Sequence, residues 1–149
     1  MPFSDSYANN FLNFIFSRID SLTSPDKVYI GLSSTDPEAG SFTELSGGAY
    51  GRILLVRKEE LEYPDFIGTA TNREISNKRQ INWTKASSNW PTAVGFGLFT
   101  SETGGSPFYY AKLDKPVTVP AESVALFDPG EFKIAFSNTD VKQSEETTE

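Results

Sequence analysis

The chain contains neither cysteine nor histidine. Without cysteine there are no disulfides, thiolate metal sites or cysteine nucleophiles. Without histidine there is no imidazole base, no imidazole metal ligand and no side chain that ordinarily titrates near neutral pH. Most hydrolytic machinery is removed by these two absences, leaving paired carboxylates as the main catalytic device. Long apolar runs are missing too. None approaches the roughly 20 residues of a membrane-spanning helix, and the opening MPFSDSYANN has no basic segment of the kind that starts a secretory signal. Positive charge is scarce, with 13 Lys and Arg against 20 Asp and Glu and a net charge of −7. A phosphate-binding surface needs clustered cations. The nearest approach is Arg73, Lys78, Arg79 and Lys85, whose interspersed charge reads as a solvated face. The sequence therefore predicts no nucleic-acid partner, no membrane and no cofactor, and a protein made in the cytoplasm.

Aromatic residues are plentiful. Twelve Phe, six Tyr and two Trp among 149 residues supply large side chains to bury, enough for one domain with a real core. From Tyr7 the apolar residues recur at Ala8, Phe11, Leu12, Ile15, Phe16 and Ile19, the spacing of an amphipathic helix over about residues 5–22. Ser4 or Ser6 can cap it, and Thr23-Ser24-Pro25-Asp26 stops it. Phe14 widens the stripe, which is expected to cover the protein's own sheet, the alternative being a neighbouring subunit.

After Pro25 the period changes to two. Val28, Ile30 and Leu32 alternate with Tyr29 and Gly31, as in a half-buried strand. Ser46-Gly47-Gly48-Ala49-Tyr50-Gly51 leads into Ile53-Leu54-Leu55-Val56, four consecutive apolar residues that suggest a strand buried on both faces. Residues 58–78 read as a long polar surface loop with room for a short edge strand. Val94, Phe96 and Leu98 point to one side of a further strand, with Ala93, Gly95 and Gly97 on the other. The glycines leave a groove to be filled by an aromatic side chain or the N-terminal helix. Ser101-Glu102-Thr103-Gly104-Gly105 is a turn before Phe108 to Leu113. Val117 to Val119, Val124 to Phe127, and Phe132 with Ile134 and Phe136 continue the rhythm of short strands and turns. The pattern predicts a mainly β fold: one β-sandwich or jelly-roll-like domain over residues 1–136 with an N-terminal amphipathic helix, then an acidic polar tail over 137–149.

The acids fall in turns or charged runs: Asp36 with Glu38, Glu59 to Glu62, and Asp128 with Glu131. Glycoside hydrolysis needs two carboxylates flanking a cleft, whereas each acid here has the ordinary role of a turn former or solvated surface, and Asp36-Pro37-Glu38 lacks the repeat of a calcium loop. Gly47-Gly48 and Gly104-Gly105 lack the Gly-Lys-Ser/Thr sequence of a phosphate loop. No catalytic, metal or cofactor residue is predicted, and the chain reads as a binding or assembling protein rather than an enzyme. Trp83, Trp90, Tyr109 and Tyr110 could stack on a sugar, whereas aromatic residues alternating in strands ordinarily form core.

The order of these elements resembles a family of small proteins from tailed phages and prophages commonly labelled phage tail fibre or phage structural proteins. The resemblance rests on Tyr7-Ala8-Asn9-Asn10, the run Val28 to Pro37, Glu44-Leu45-Ser46-Gly47-Gly48-Ala49-Tyr50-Gly51-Arg52, Trp90 with Val94 to Phe99, Gly104-Gly105, Tyr109-Tyr110-Ala111, and Val117 to Phe136. The charged stretch 58–78 and the acidic tail depart from it. The resemblance implies a non-catalytic virion component. The chain has no internal repeat from which to build a long shaft, so a compact tail-tip or fibre-associated unit, or a capsid decoration protein, is expected. Its partners would be copies of itself and other phage structural proteins, with a host surface glycan as the alternative. Candidate assembly residues are Phe11, Phe14, Phe16 and Arg18 on the helix, and Tyr63 and Phe66 in the long loop.

Overall fold

A computed structural model describes residues 3–16, 25–57 and 74–135. Its elements in chain order are α1 (Asp5–Ile15), β1 (Lys27–Ser33), β2 (Ile53–Arg57), β3 (Glu74–Ser76), β4 (Ile81–Asn82), β5 (Ala93–Phe99), β6 (Tyr109–Val117), β7 (Leu126–Phe127) and β8 (Lys133–Ala135). The protein is mainly β, as expected, with one N-terminal helix. Every pairing is antiparallel: a four-stranded sheet in the order β2-β1-β5-β6, and two small ribbons, β3-β8 and β4-β7. No described helix is long and apolar enough to cross a membrane.

The register of β1 on β5 sets Ile30 opposite Leu98, Gly31 opposite Gly97 and Leu32 opposite Phe96. Paired residues share a face, so one face carries Ile30, Leu32, Phe96 and Leu98, and the other Gly31, Ser33, Gly95, Gly97 and Phe99. The first face is closed by the main core, which includes Ile81, Trp83, Trp90, Val119, Ala125 and Phe132. Phe132 meets Phe96 edge to face at 4.8 Å, an arrangement favoured by the ring quadrupoles. Asn77 is buried beside this core. Its amide donates to the carbonyls of Arg79 and Asp128, and its side-chain oxygen accepts from the Phe132 amide. Those bonds offset its desolvation and hold the turn that delivers Phe132.

The second face is filled from the connection between β1 and β2. A Cβ on Gly95 would lie 2.3 Å from Pro37 Cδ, and one on Gly97 would lie 2.8 Å from Phe42 Cε2. These two positions must therefore lack a side chain for the connection to lie flat on the strand. The groove expected from the glycines is thus occupied by an aromatic ring and a proline, and not by the helix. The buried hydroxyl of Ser33 organises this connection. It donates to the Thr35 carbonyl and accepts from the amides of Thr35 and Thr43.

Three expectations need correction. The run Ile53 to Val56 lies in an edge strand, not a doubly buried one: Leu55 is buried, whereas Ile53 and Leu54 are half-buried. Phe108 to Leu113 and Val117 are not separate strands, because β6 continues through Pro116. Proline is tolerated there because β6 is the other edge and loses no ladder bond to a neighbour. The helix stripe does not cover the sheet. Residues 17–24 lie outside the described residues, as do most of the long loop and the tail, so the helix is described only to Ile15; Glu74–Ser76 of the long stretch forms β3.

Candidate functional site

Ser4 is the N-cap of α1, and its side chain accepts from the Tyr7 amide at 3.3 Å, with Asp5 placed favourably in the first turn. The helix is fastened to the body at this end alone among the described contacts. Phe3 bridges to Tyr109, the Ser4 amide donates to the Phe108 carbonyl, and Tyr7 stacks on Phe3 and leans on Phe108 at 5.4 and 5.1 Å. One turn later the same apolar face is bare. No residue of α1 is buried. Phe11 is 48% exposed, Phe14 39% and Phe16 68%, with Leu12 and Ile15 exposed beside them. The docked first turn is thus followed by an apolar stripe that is exposed among the described residues.

Of the residues nominated from sequence, Phe11, Phe14 and Phe16 are all exposed, Phe11 and Phe14 as neighbours three apart on α1 and Phe16 as its C-cap. Arg18, Tyr63 and Phe66 lie outside the described residues. The four aromatics considered as sugar platforms fare differently: Trp83, Trp90 and Tyr109 are buried, and Tyr110 is half-buried. The Trp90 indole donates to the Gly48 carbonyl and its ring meets Tyr50 edge to face. These three residues are core. The acids considered for catalysis also have local tasks. Asp36 caps the short 3-10 turn Pro37–Ala39, Glu38 accepts from the Lys112 amide, and Asp128 accepts from Gln80. Among the described residues, no group of three or more Asp and Glu is placed to hold a metal ion.

Sequence reasoning did not anticipate an organised polar cluster among the described residues. Glu44 receives the Arg52 guanidinium through two 2.8 Å hydrogen bonds, and the third guanidinium nitrogen donates to the Ser101 and Gly104 carbonyls at 2.9 Å. The guanidinium lies 3.4 Å from the centroid of the Phe99 ring, in cation–π contact. The Tyr50 hydroxyl donates to Glu44 and accepts from the Leu32 amide. That amide is beyond the β1–β2 register, which ends at Ile30 and Ile53, so the hydroxyl replaces the missing strand. Burial, helped by the Glu44 charge, pushes the Tyr50 hydroxyl well above the ordinary tyrosine range, and it stays protonated. With its donors satisfied, the Arg52 side chain can remain 4% exposed. This cluster is structural, tying three connections to the sheet.

Among the described residues, the later part of α1 is an exposed apolar surface, of the kind that docks on a partner. Among curated proteins, none matches the chain. The family model described as podophage GP4 fiber I protein gp80 matches residues 2–135, which span all of the described residues, and the chain belongs to that family of phage fibre proteins.

Proposed function

We propose that this chain is a non-enzymatic, fibre-associated subunit of a tailed-phage particle, seated on its neighbours through the apolar face of α1. The observation that carries this reading is the abrupt change along one helix, from Tyr7 and Ala8, half-covered by the body, to Phe11, Leu12, Phe14, Ile15 and Phe16 in solvent. An isolated helix of 11 residues is marginal in water, and an uncovered apolar patch on such a helix marks an interaction surface. The fibre family supports other phage structural proteins as the partners. It also favours a fibre position over capsid decoration. A repeat-free chain fits a compact unit attached to a fibre better than a shaft.

The test is incorporation. Particles assembled with the triple variant Phe11→Ser, Phe14→Ser, Phe16→Ser should lack the subunit, while the purified variant keeps the unfolding midpoint of the parent. Incorporation at the parental level would remove α1 from the interface. Light scattering on the parent then separates self-association from docking on a preformed partner, since only the former raises the mass with concentration.

A further inference from the structure

A solvent-open cleft of about 290 Å³ lies at the foot of α1, where the helix start, the 37–42 connection and the β5–β6 connection meet. We infer that this cleft receives an arginine side chain of the subunit that covers α1, and so fixes the register in which that subunit docks. The inference rests on the docking role proposed for α1 and adds to it the chemistry of the partner.

The clamp of this same protein shows what a guanidinium requires. Arg52 has the Glu44 carboxylate on its forked edge, the Phe99 ring against its plane, and the Ser101 and Gly104 carbonyls for its remaining donors. The cleft gathers the same kinds of group. Asp5 offers a carboxylate, Phe42 and Tyr110 offer rings, and Ser41 and Ser106 offer hydroxyl oxygens. Asp5 is exposed and pairs with no cation among the described residues. It is also the one charged group among the described residues that line the cleft. On a chain of net charge −7, such a recess favours a cation over an anion. A planar guanidinium can fork onto the carboxylate while it lies on a ring, which a lysine ammonium cannot.

The position of the cleft joins it to the apolar stripe. Asp5 and Leu12 lie seven residues apart on α1, about two turns, so the mouth of the cleft and an exposed apolar residue share one line of the helix. A partner packed along that line brings its arginine to the cleft, and the apolar contacts supply the affinity that one exposed ion pair lacks. The rings are also fixed in advance. Phe42 lies over Gly97 and packs edge to face on Phe99 at 5.5 Å, and Tyr110 is held in register opposite Gly97 on β6. Ordering costs that weaken flexible sites are therefore already met by the fold.

The experiment has two readouts on the full chain. The first is an amide-resolved NMR titration with N-acetyl-arginine methylamide, up to about 50 mM, against its uncharged citrulline counterpart. The arginine probe should give saturable shifts at Asp5, Ser41 to Phe42 and Ser106 to Tyr110. Asp5→Asn, which leaves the Ser4 cap intact, should weaken that binding about threefold, and the citrulline probe should bind the parent more weakly by a similar factor. The second readout is incorporation into particles. Asp5→Lys sets like charges against each other and should cut incorporation about tenfold or more, while the spectrum of the purified variant reports that the fold persists.

The inference is overturned if the arginine probe leaves these amides unmoved, if citrulline binds as well, or if a neutral methyl glycoside shifts them and the arginine probe does not. Parental incorporation of Asp5→Lys overturns it too. If the triple variant of Phe11, Phe14 and Phe16 is then still excluded from particles, α1 docks without the cleft. If that variant is also incorporated, the docking role of α1 falls with it.

Discussion

The two faces of the β1–β5 pair are closed by opposite means. On one, large side chains from the sheet meet large side chains from the ribbons, as Phe96 meets Phe132. On the other, the sheet contributes glycines, and a loop supplies the bulk through Pro37 and Phe42. The first solution is tolerant in shape but sensitive to lost volume. The second is sensitive to added volume, and it relies on a polar clamp, Glu44–Arg52–Tyr50, to hold the loop down. A sheet thus acquires two stable faces without two apolar layers.

The largest effect expected from breaking this arrangement is on the apolar face. Phe132→Ala should lose about 3–5 kcal/mol in denaturant unfolding, the transfer of the ring plus the cavity it leaves. Next comes the clamp. Arg52→Leu leaves Glu44 and two carbonyls without their donor and should cost about 3 kcal/mol, whereas adding Glu44→Leu should recover part of that loss. An unchanged stability in Arg52→Leu would show that the glycine face closes without the clamp.

Gly95→Ala comes third, at about 1–3 kcal/mol, because a Cβ that close to Pro37 forces the loop to shift. The same substitution in a tolerant face would be nearly silent, so a null result would erase the distinction between the faces. The pH dependence of the clamp should be smaller still. Below about pH 10 Tyr50 is protonated in both states and its contribution is complete. Above that, the unfolded chain releases a proton that the folded chain retains, so stability falls as pH rises. Urea melts between pH 9 and about 11 should show a shallower fall in Tyr50→Phe than in the parent. Least of all, Phe16→Ser on the exposed end of α1 should alter stability by no more than about 0.5 kcal/mol, since it belongs to neither face.

How legible the molecule was in its sequence follows the same division. The apolar face was readable because period two is a local signal: Phe96 and Leu98 on one side and Gly95 and Gly97 on the other are as found, whereas Ala93 joins the core and Val94 does not, across the irregularity between Ala93 and Gly95. That the glycines needed a filler was also readable, but not which one, because Pro37 and Phe42 reach them across a loop. The clamp was invisible for a similar reason. Glu44, Tyr50 and Arg52 all fall in the stretch that carries the family resemblance, yet only the fold brings Ser101, Gly104 and Phe99 to them. Ile53 to Val56 misled because a run of apolar residues looks the same in a central strand and in an edge strand covered from one side. For α1 the period identified the element and its start, but a stripe cannot say whether its cover lies in the same chain. The sugar-stacking candidates failed on burial alone: Trp83, Trp90 and Tyr109 are core.

The outer margin of β6 has a consequence for how copies of this protein can multiply into a larger object. Phe3 pairs with Tyr109 there, and the Glu38 carboxylate occupies the Lys112 amide. Pro116 offers no amide at all. An open margin would let one sheet continue into the next molecule, without limit and without regard to the particle. With these positions occupied, β6 offers another copy of the sheet little to pair with. Attachment then falls to side-chain surfaces, whose partners, unlike backbone amides, can be told apart.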